Sequence, residues 1–254
     1  MTEVLERKTP EQLEKMRAAG LVVARTLELL RKSAVAGVST AELDQIASEN
    51  IKSEGAKPSF LGYNGYPATI CTSVNEQIVH GIPSKNLILR DGDTISIDCG
   101  AIVDGWHGDS AITVLIGDVR PEVSKLAKVC ADAMWAGIEQ MRPGNRLTDV
   151  SHAIAKSIRN AGRYGIVREY GGHGIGTEMH MDPHVLNYGR PNRGPVLKPG
   201  VTLAIEPMVT LGSASVKVLP DDWTVVTKDN SWSAHTEHTV AVTDGAPRIL
   251  TALD

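Results

Sequence analysis

The dipeptide Asp104-Gly105, set between two runs of alternating side-chain character, restricts the fold of this chain more than any other feature. The pair tolerates positive φ at both central positions of a two-residue turn, so residues 96–109 are expected to close into a tight hairpin. Val103 then faces Trp106, Gly100 faces Asp109 and Asp98 faces Ala111. Side chains alternate along a strand and opposite residues share a face, which makes Asp98 and Asp109 diagonal neighbours on one face. Their backbones would lie roughly 7–8 Å apart, close enough for two carboxylates to hold a shared cation. The polar outer face of an ordinary hairpin reads the same way, so the choice depends on ligands elsewhere.

Composition narrows the function classes. The 254 residues are 42% hydrophobic and 22% charged, an ordinary soluble globular mixture able to bury a sizeable core. A net charge of −4 with no basic run gives nucleic acid or an anionic membrane no electrostatic support. The first residues are polar and partly acidic, and no apolar run is long enough to cross a bilayer. Cys71, Cys99 and Cys130 are odd in number and form no Cys-x-x-Cys pair, which argues against a disulfide framework or a thiolate zinc site. A reducing cytoplasm is the simplest compartment.

Two helix pairs are expected. Thr9-Pro-Glu-Gln12 is a capping box with proline at the first helical position, opening a helix to about residue 33; Ser39-Thr-Ala-Glu42 caps a second that ends at Gly55. Pro121-Glu122 opens a third to about Met141, and a fourth runs from about Thr148 to Gly162. Gly37 to Gly55 and Gly144 to Gly162 are both 18 positions apart, with Leu43 and Val150 six residues after the first glycine of each pair. The matching order points to an internal duplication. Strand-like stretches follow each pair, at 69–74, 93–98 and 110–115, then at 201–206, 215–219, 223–227 and 237–242. Helices and antiparallel strands are grouped rather than alternating, which favours an α+β fold, and without a Pro/Ser-rich linker the chain reads as one domain over 1–254.

Three further candidates join the two aspartates: His173 within Gly171-Gly-His-Gly-Ile-Gly, Glu206 at the mouth of an apolar strand, and Glu237 at the start of another. Four carboxylates and one imidazole form an oxygen-rich, sulfur-free set that suits two divalent cations, whose charge would neutralise all four acids. Such a pair, about 3.5–4 Å apart, can share a bridging hydroxide that attacks a carbonyl, so hydrolysis is the expected chemistry. Competing motifs fail. Thr177 stands where Gly-x-Gly-x-x-Gly needs its last glycine, and the chain has no phosphate loop, no His-Glu-x-x-His and no Gly-x-Ser-x-Gly.

The ordered set Asp98, Asp109, His173, Glu206, Glu237 resembles the metal ligands of the methionine aminopeptidases, within the wider pita-bread metallohydrolases. Phe60-Leu-Gly-Tyr-Asn-Gly-Tyr-Pro67, Ser73-Val-Asn-Glu-Gln-Ile-Val-His-Gly-Ile-Pro83, Ile205-Glu-Pro-Met208 and Glu237-His-Thr extend the resemblance over nearly the whole chain. It implies a pseudo-two-fold duplicated antiparallel sheet with both helix pairs on its outer face. It also implies the bacterial type I form without a zinc-binding extension, and removal of the initiator methionine ahead of a small second residue. In that reading Asp109 and Glu237 bridge two ions (Co, Mn, Fe or Zn), Asp98 holds one, and His173 with Glu206 holds the other. Glu206 also serves as general base. His80 and His180 lie beside the scissile amide, and Phe60, Tyr63, Tyr66, Cys71, Met179 and Trp223 line the methionine pocket. Asn75, Gln77 and Ser233 match a monovalent site for Na or K. The implied partners are nascent polypeptide N-termini, with transient ribosome contact and a monomeric state.

Met179, Met181, Asp222 and His235 depart from the residues expected at those positions, and none is a metal ligand in this reading. His107, His152, His184, His235 and His238 are read as solvated or structural. Two rivals stand beside this function. A prolidase- or creatinase-like Xaa-Pro hydrolase would be expected to carry an arginine soon after Asp109, where Ser110-Ala-Ile stands. A non-catalytic binding protein on the same fold would not need the full ligand set.

Overall fold

Both capping boxes form. Thr9 accepts a hydrogen bond from the Gln12 backbone while the Gln12 side chain accepts from Thr9 N–H, opening α1 (Pro10–Ser33). Ser39 and Glu42 repeat the exchange at the start of α2 (Thr40–Ser53). The second pair is α3 (Pro121–Ile138) and α4 (Leu147–Ala161). α3 stops before Met141 because the chain is already turning into Arg142-Pro143-Gly144, and the residue before a proline is driven out of helical φ/ψ. Leu43 and Val150, the paired positions of the two halves, are both fully buried. The structure, a computed structural model, describes residues 5–253.

The hairpin has the expected register through ten residue pairs. β2 (Thr94–Val103) and β3 (Trp106–Leu115), preceded by β1 (Ile70–Val74), pair Val103 with Trp106, Gly100 with Asp109 and Asp98 with Ala111. From the second half come β4 (Gly172–Gly174), β5 (Met181–Val185), β6 (Thr202–Ile205) and β7 (Glu237–Ala241). Across the principal sheet the order is β2-β3-β7-β6-β4-β5, and every pairing is antiparallel. β1 and the short strand Lys57–Pro58 close the outer edge of β2, and Arg248–Ile249 adds to β7. The two halves therefore meet within one continuous sheet, at the β3–β7 pairing.

β4 and β5 are not expected as strands, since the glycines of the first and Pro183 of the second disfavour sheet. Close approach of neighbouring backbones explains the glycines. A Cβ at Gly172 would stand 2.1 Å from the Ala204 carbonyl oxygen, and one at Gly174 2.2 Å from that of Asp182.

Strand alternation separates core from site. Ile95, Ile97 and Cys99 on β2, with Ile112 and Val114 on β3, pack against Val22, Val23, Leu27, Leu43 and Ile51 of α1 and α2. Leu203, Ile205 and Val240 on β6 and β7 pack in the same way on Leu126, Met134, Val150 and Ile154 of α3 and α4. Both helix pairs thus cover one face. Asp98, Asp109, Glu206 and Glu237 fall on the alternate positions and face the other side.

Candidate metal centre

All five expected ligands converge on that second face. His173 Nε2 lies 3.8 Å from Asp109 Oδ2 and 3.5 Å from Glu206 Oε1. Two overlapping trios, Asp109–His173–Glu237 and Glu206–His235–Glu237, each offer one atom per residue within 4.8 Å of the others. Glu237 belongs to both. Asp98 belongs to neither, yet its carboxylate is close enough to act on Asp109 and Glu237.

His235, read from sequence as solvated or structural, is in fact 1% exposed and places Nε2 3.3 Å from Glu206 Oε2. The signal was present: His235 and Glu237 are two apart in an extended stretch and so share a face. Met179 is buried in the same apolar cluster as Phe60 and Cys71, and Met181 lines the cavity. His107 and His238 keep structural surroundings, bonded to Ser59 and to Ser110 and Thr251 respectively. His184, read from sequence as solvated or structural, lines the cavity, as do Tyr170 and Glu169, which the sequence does not single out.

The donor set as it stands is electrostatically incomplete. Burial is the largest cause that raises Asp98 to about 6, and it pushes Asp109, Glu206 and Glu237 well above the usual carboxylate range. Mutual repulsion adds to the rise at Asp109 and Glu237. Burial also lowers His173 to about 3, so the imidazole is neutral. Its Nδ1 donates to the Gly174 carbonyl at 2.9 Å, which leaves a lone pair on Nε2 aimed at two carboxylates. Asp98 Oδ1, Asp109 Oδ1, Glu237 Oε1 and His235 Nε2 are buried without a hydrogen-bond partner among the described residues. Acceptors facing acceptors in a dry site need cations between them, and oxygen-rich donors with imidazole suit divalent first-row ions. The residues fit the metal that the chemistry requires.

Above these groups opens a cavity of about 450 Å³ lined by Phe60, Tyr63, Tyr66, Cys71, His80 and Trp223, as expected from sequence. Tyr66 meets Trp223 edge-on at 5.0 Å and is anchored through its hydroxyl to the Ile70 and Gly81 carbonyls. His180 stands 4.4 Å from the His173 ring and is oriented by Tyr63, whose hydroxyl lies 2.8 Å from Nδ1. His80 is lowered to about 4, by burial first and then by His235 and His180, so it too is neutral. Away from the cavity, Ser233 gathers the carbonyls of Asn75 and Gln77, its N–H donating to the first at 2.9 Å and its hydroxyl to the second at 2.8 Å.

Comparison with known proteins agrees with this geometry. Residues 14–244 match the model of metallopeptidase family M24. The chain is 54% identical to a methionine aminopeptidase of Clostridium acetobutylicum, over 96% of this chain and 97% of that protein. It is 53% identical to methionine aminopeptidase 1 of Mycobacterium tuberculosis, over 98% and 95%. The crystal structure of a Thermotoga maritima methionine aminopeptidase superposes with a TM-score of 0.96 at 42% identity, covering 98% of this chain and all of that one. A Pyrococcus furiosus prolidase shares the fold at TM-score 0.76 and 21% identity, over 98% of this chain and 66% of its own.

Proposed function

The chain belongs to metallopeptidase family M24, and from that premise we propose that it removes the N-terminal methionine from polypeptides whose second residue is small. It is a metal-dependent aminopeptidase, and its reaction is hydrolysis of the first peptide bond. One observation carries the reading: a cluster of buried, unpaired carboxylate and imidazole atoms forms the floor of a cavity walled by aromatic rings and a thiol. An unbranched thioether is well received by such polarizable walls.

We assign Asp109 and Glu237 as ligands shared between two divalent ions (Co, Mn, Fe or Zn), Asp98 as a ligand of one, and His173 with Glu206 as ligands of the other. Divalent cations held there would polarise the scissile carbonyl and supply a nucleophile from water near neutral pH. Glu206 would accept the proton released by that nucleophile and pass it to the departing amine. His80 and His180, neutral and on the rim of the same cavity, would hydrogen-bond the scissile amide as charge develops. Tyr63 fixes the ring of His180 for that task. Phe60, Tyr66, Cys71 and Trp223 would hold the methionine side chain. The carbonyls of Asn75 and Gln77, drawn together at Ser233, are assigned to a monovalent ion, Na or K.

Ligands come from both halves of the chain, so we infer one catalytic domain spanning it. Three buried free cysteines suit a reducing cytoplasm, and no helix among the described residues is long and apolar enough to cross a membrane. We place the enzyme there as a monomer meeting nascent chains at the ribosome.

Metal-depleted protein refilled with Mn, Fe, Co or Zn and assayed on Met-Ala-Ser against Xaa-Pro peptides tests the reading. Cleavage of the methionine peptide is expected. Cleavage of Xaa-Pro peptides alone would select the prolidase chemistry, and no cleavage with any metal would leave only a binding role.

A further inference from the structure

Glu206 sits where the sheet releases the chain. β6 ends at Ile205 and the next strand begins at Met208, so Glu206 and Pro207 lie between ladders. Pro207 has no N–H to give, and the two carbonyls of the segment must find partners off the strands. Both find side chains. Asn187 Nδ2 donates to the Glu206 carbonyl at 3.0 Å, and Cys130 Sγ, on α3, lies 3.2 Å from the Pro207 carbonyl. The thiol has a single hydrogen, shared with the Ala234 carbonyl at 3.3 Å. Ala234 precedes His235, so Cys130 spans the two backbone segments whose side chains meet at Glu206 Oε2.

Asn187 is buried, and its Oδ1 is without a partner among the described residues. Rotating the amide would set that oxygen against the Glu206 carbonyl, so the donation fixes the orientation of the group. A half-satisfied amide in a dry position is explained by what its satisfied half holds.

We propose that Asn187, assisted by Cys130, is a positioning residue that locks the Glu206-Pro207 peptide and thereby aims the Glu206 carboxylate at the metal centre. Neither side chain contacts the reacting atoms in this scheme; both act through Glu206. The proposal rests on the reading of Glu206 as ligand and base. A carboxylate displaced by about 1 Å at such a centre loses on the order of 100-fold in rate.

Asn187→Leu removes the donor at similar size. Cys130→Ala removes the thiol, and Cys130→Ser restores an O–H donor. Asn145→Leu serves as control, because it deletes a 2.9 Å amide-to-carbonyl bond to Gln140 away from the centre. Each protein is assayed for kcat and KM on Met-Ala-Ser with Mn²⁺. Metal-depleted samples are titrated with Mn²⁺ by calorimetry, and unfolding midpoints are recorded. For Asn187→Leu, kcat should fall about 10–100-fold with KM within about twofold, and one Mn²⁺ step should weaken about tenfold or more. Cys130→Ala should show a smaller loss that Cys130→Ser recovers, and Asn145→Leu should lower only the midpoint.

Wild-type kcat and Mn²⁺ affinity in Asn187→Leu would overturn the proposal whatever its midpoint does, as would an equal loss in Asn145→Leu. If Asn187→Leu does not fold, the cysteine pair decides: equal kcat in the alanine and serine variants overturns it. Glu206→Gln separates the premise from the proposal. Full turnover in that variant defeats the base assignment, whereas an inactive Glu206→Gln beside a normal Asn187→Leu defeats only the positioning.

Discussion

Replacing Asp98 by asparagine in metal-depleted protein should make the fold more stable, by an amount that grows with pH. Asp98 is raised from 3.8 to about 6, by burial first and further by Glu206, with His235 opposing. Between those two values the unfolded chain has released the proton while the folded chain keeps it. Above about 6 both states are ionised, and the buried charge costs the wild-type fold about 3 kcal/mol. The sign is the reverse of an ion-paired aspartate: stability is greatest below 3.8 and is lost as pH rises through 6. Asparagine cannot ionise, so its own offset is constant with pH. Part of the unfolded-state ionisation is already complete at pH 4, so the difference between variant and wild type should climb by about 2 kcal/mol from pH 4 to pH 7. His173, which Asp98 does not perturb, cancels in the difference, whereas Asp109 and Glu237, which the Asp98 charge helps to raise, are relieved in the variant and reinforce the climb. Urea unfolding at four or five pH values, with chelator present, measures it. Adding Mn²⁺ at a hundredfold over its Kd should stabilise the wild type by about 2.7 kcal/mol and the variant by less. A difference that stays flat with pH, or equal metal stabilisation of both proteins, would refute the reasoning.

Other substitutions test neighbouring links. Asp109→Asn should lower bound metal and peptidase activity together, measured by elemental analysis and turnover, and full activity would exclude its assignment as a shared ligand. The Thr239 hydroxyl accepts from the Asp109 N–H at 3.1 Å and donates to the Asp109 carbonyl at 2.8 Å. Thr239→Val should thus cost about 2–4 kcal/mol in urea unfolding while Thr239→Ser stays close to wild type; equal stability of the two would refute the tether. Tyr66→Phe leaves the Ile70 and Gly81 carbonyls without their shared donor and should cost about 1–2 kcal/mol. Its KM for methionine peptides should rise more than its kcat falls, and an unchanged KM would remove Tyr66 from the pocket.

Much of the site was legible because local rules act at short range. The Asp104-Gly105 turn sets register by itself, and register decides which face each later residue occupies, so Asp98 and Asp109 share a face without any long-range contact. The capping boxes at Thr9 and Ser39 are equally local. Side-chain direction outside regular strands was not legible. Met179 and His180 are adjacent in the turn before β5, and only packing buries the first with Phe60 and turns the second toward His173.

By itself, then, the sequence determined the helix starts and the hairpin register, because each depends on residues near one another in the chain. Tertiary structure alone decided that β3 and β7 join, which sets Asp109 beside Thr239 and Glu237 beside Ala111 across more than a hundred residues of chain. It also decided that His235 is buried against Glu206 and that Asn187 and Cys130 hold the segment that carries it. Those contacts follow from the sheet closing around buried, mutually repelling acids, and the free energy of that arrangement is a property of the assembled site rather than of any one stretch of sequence.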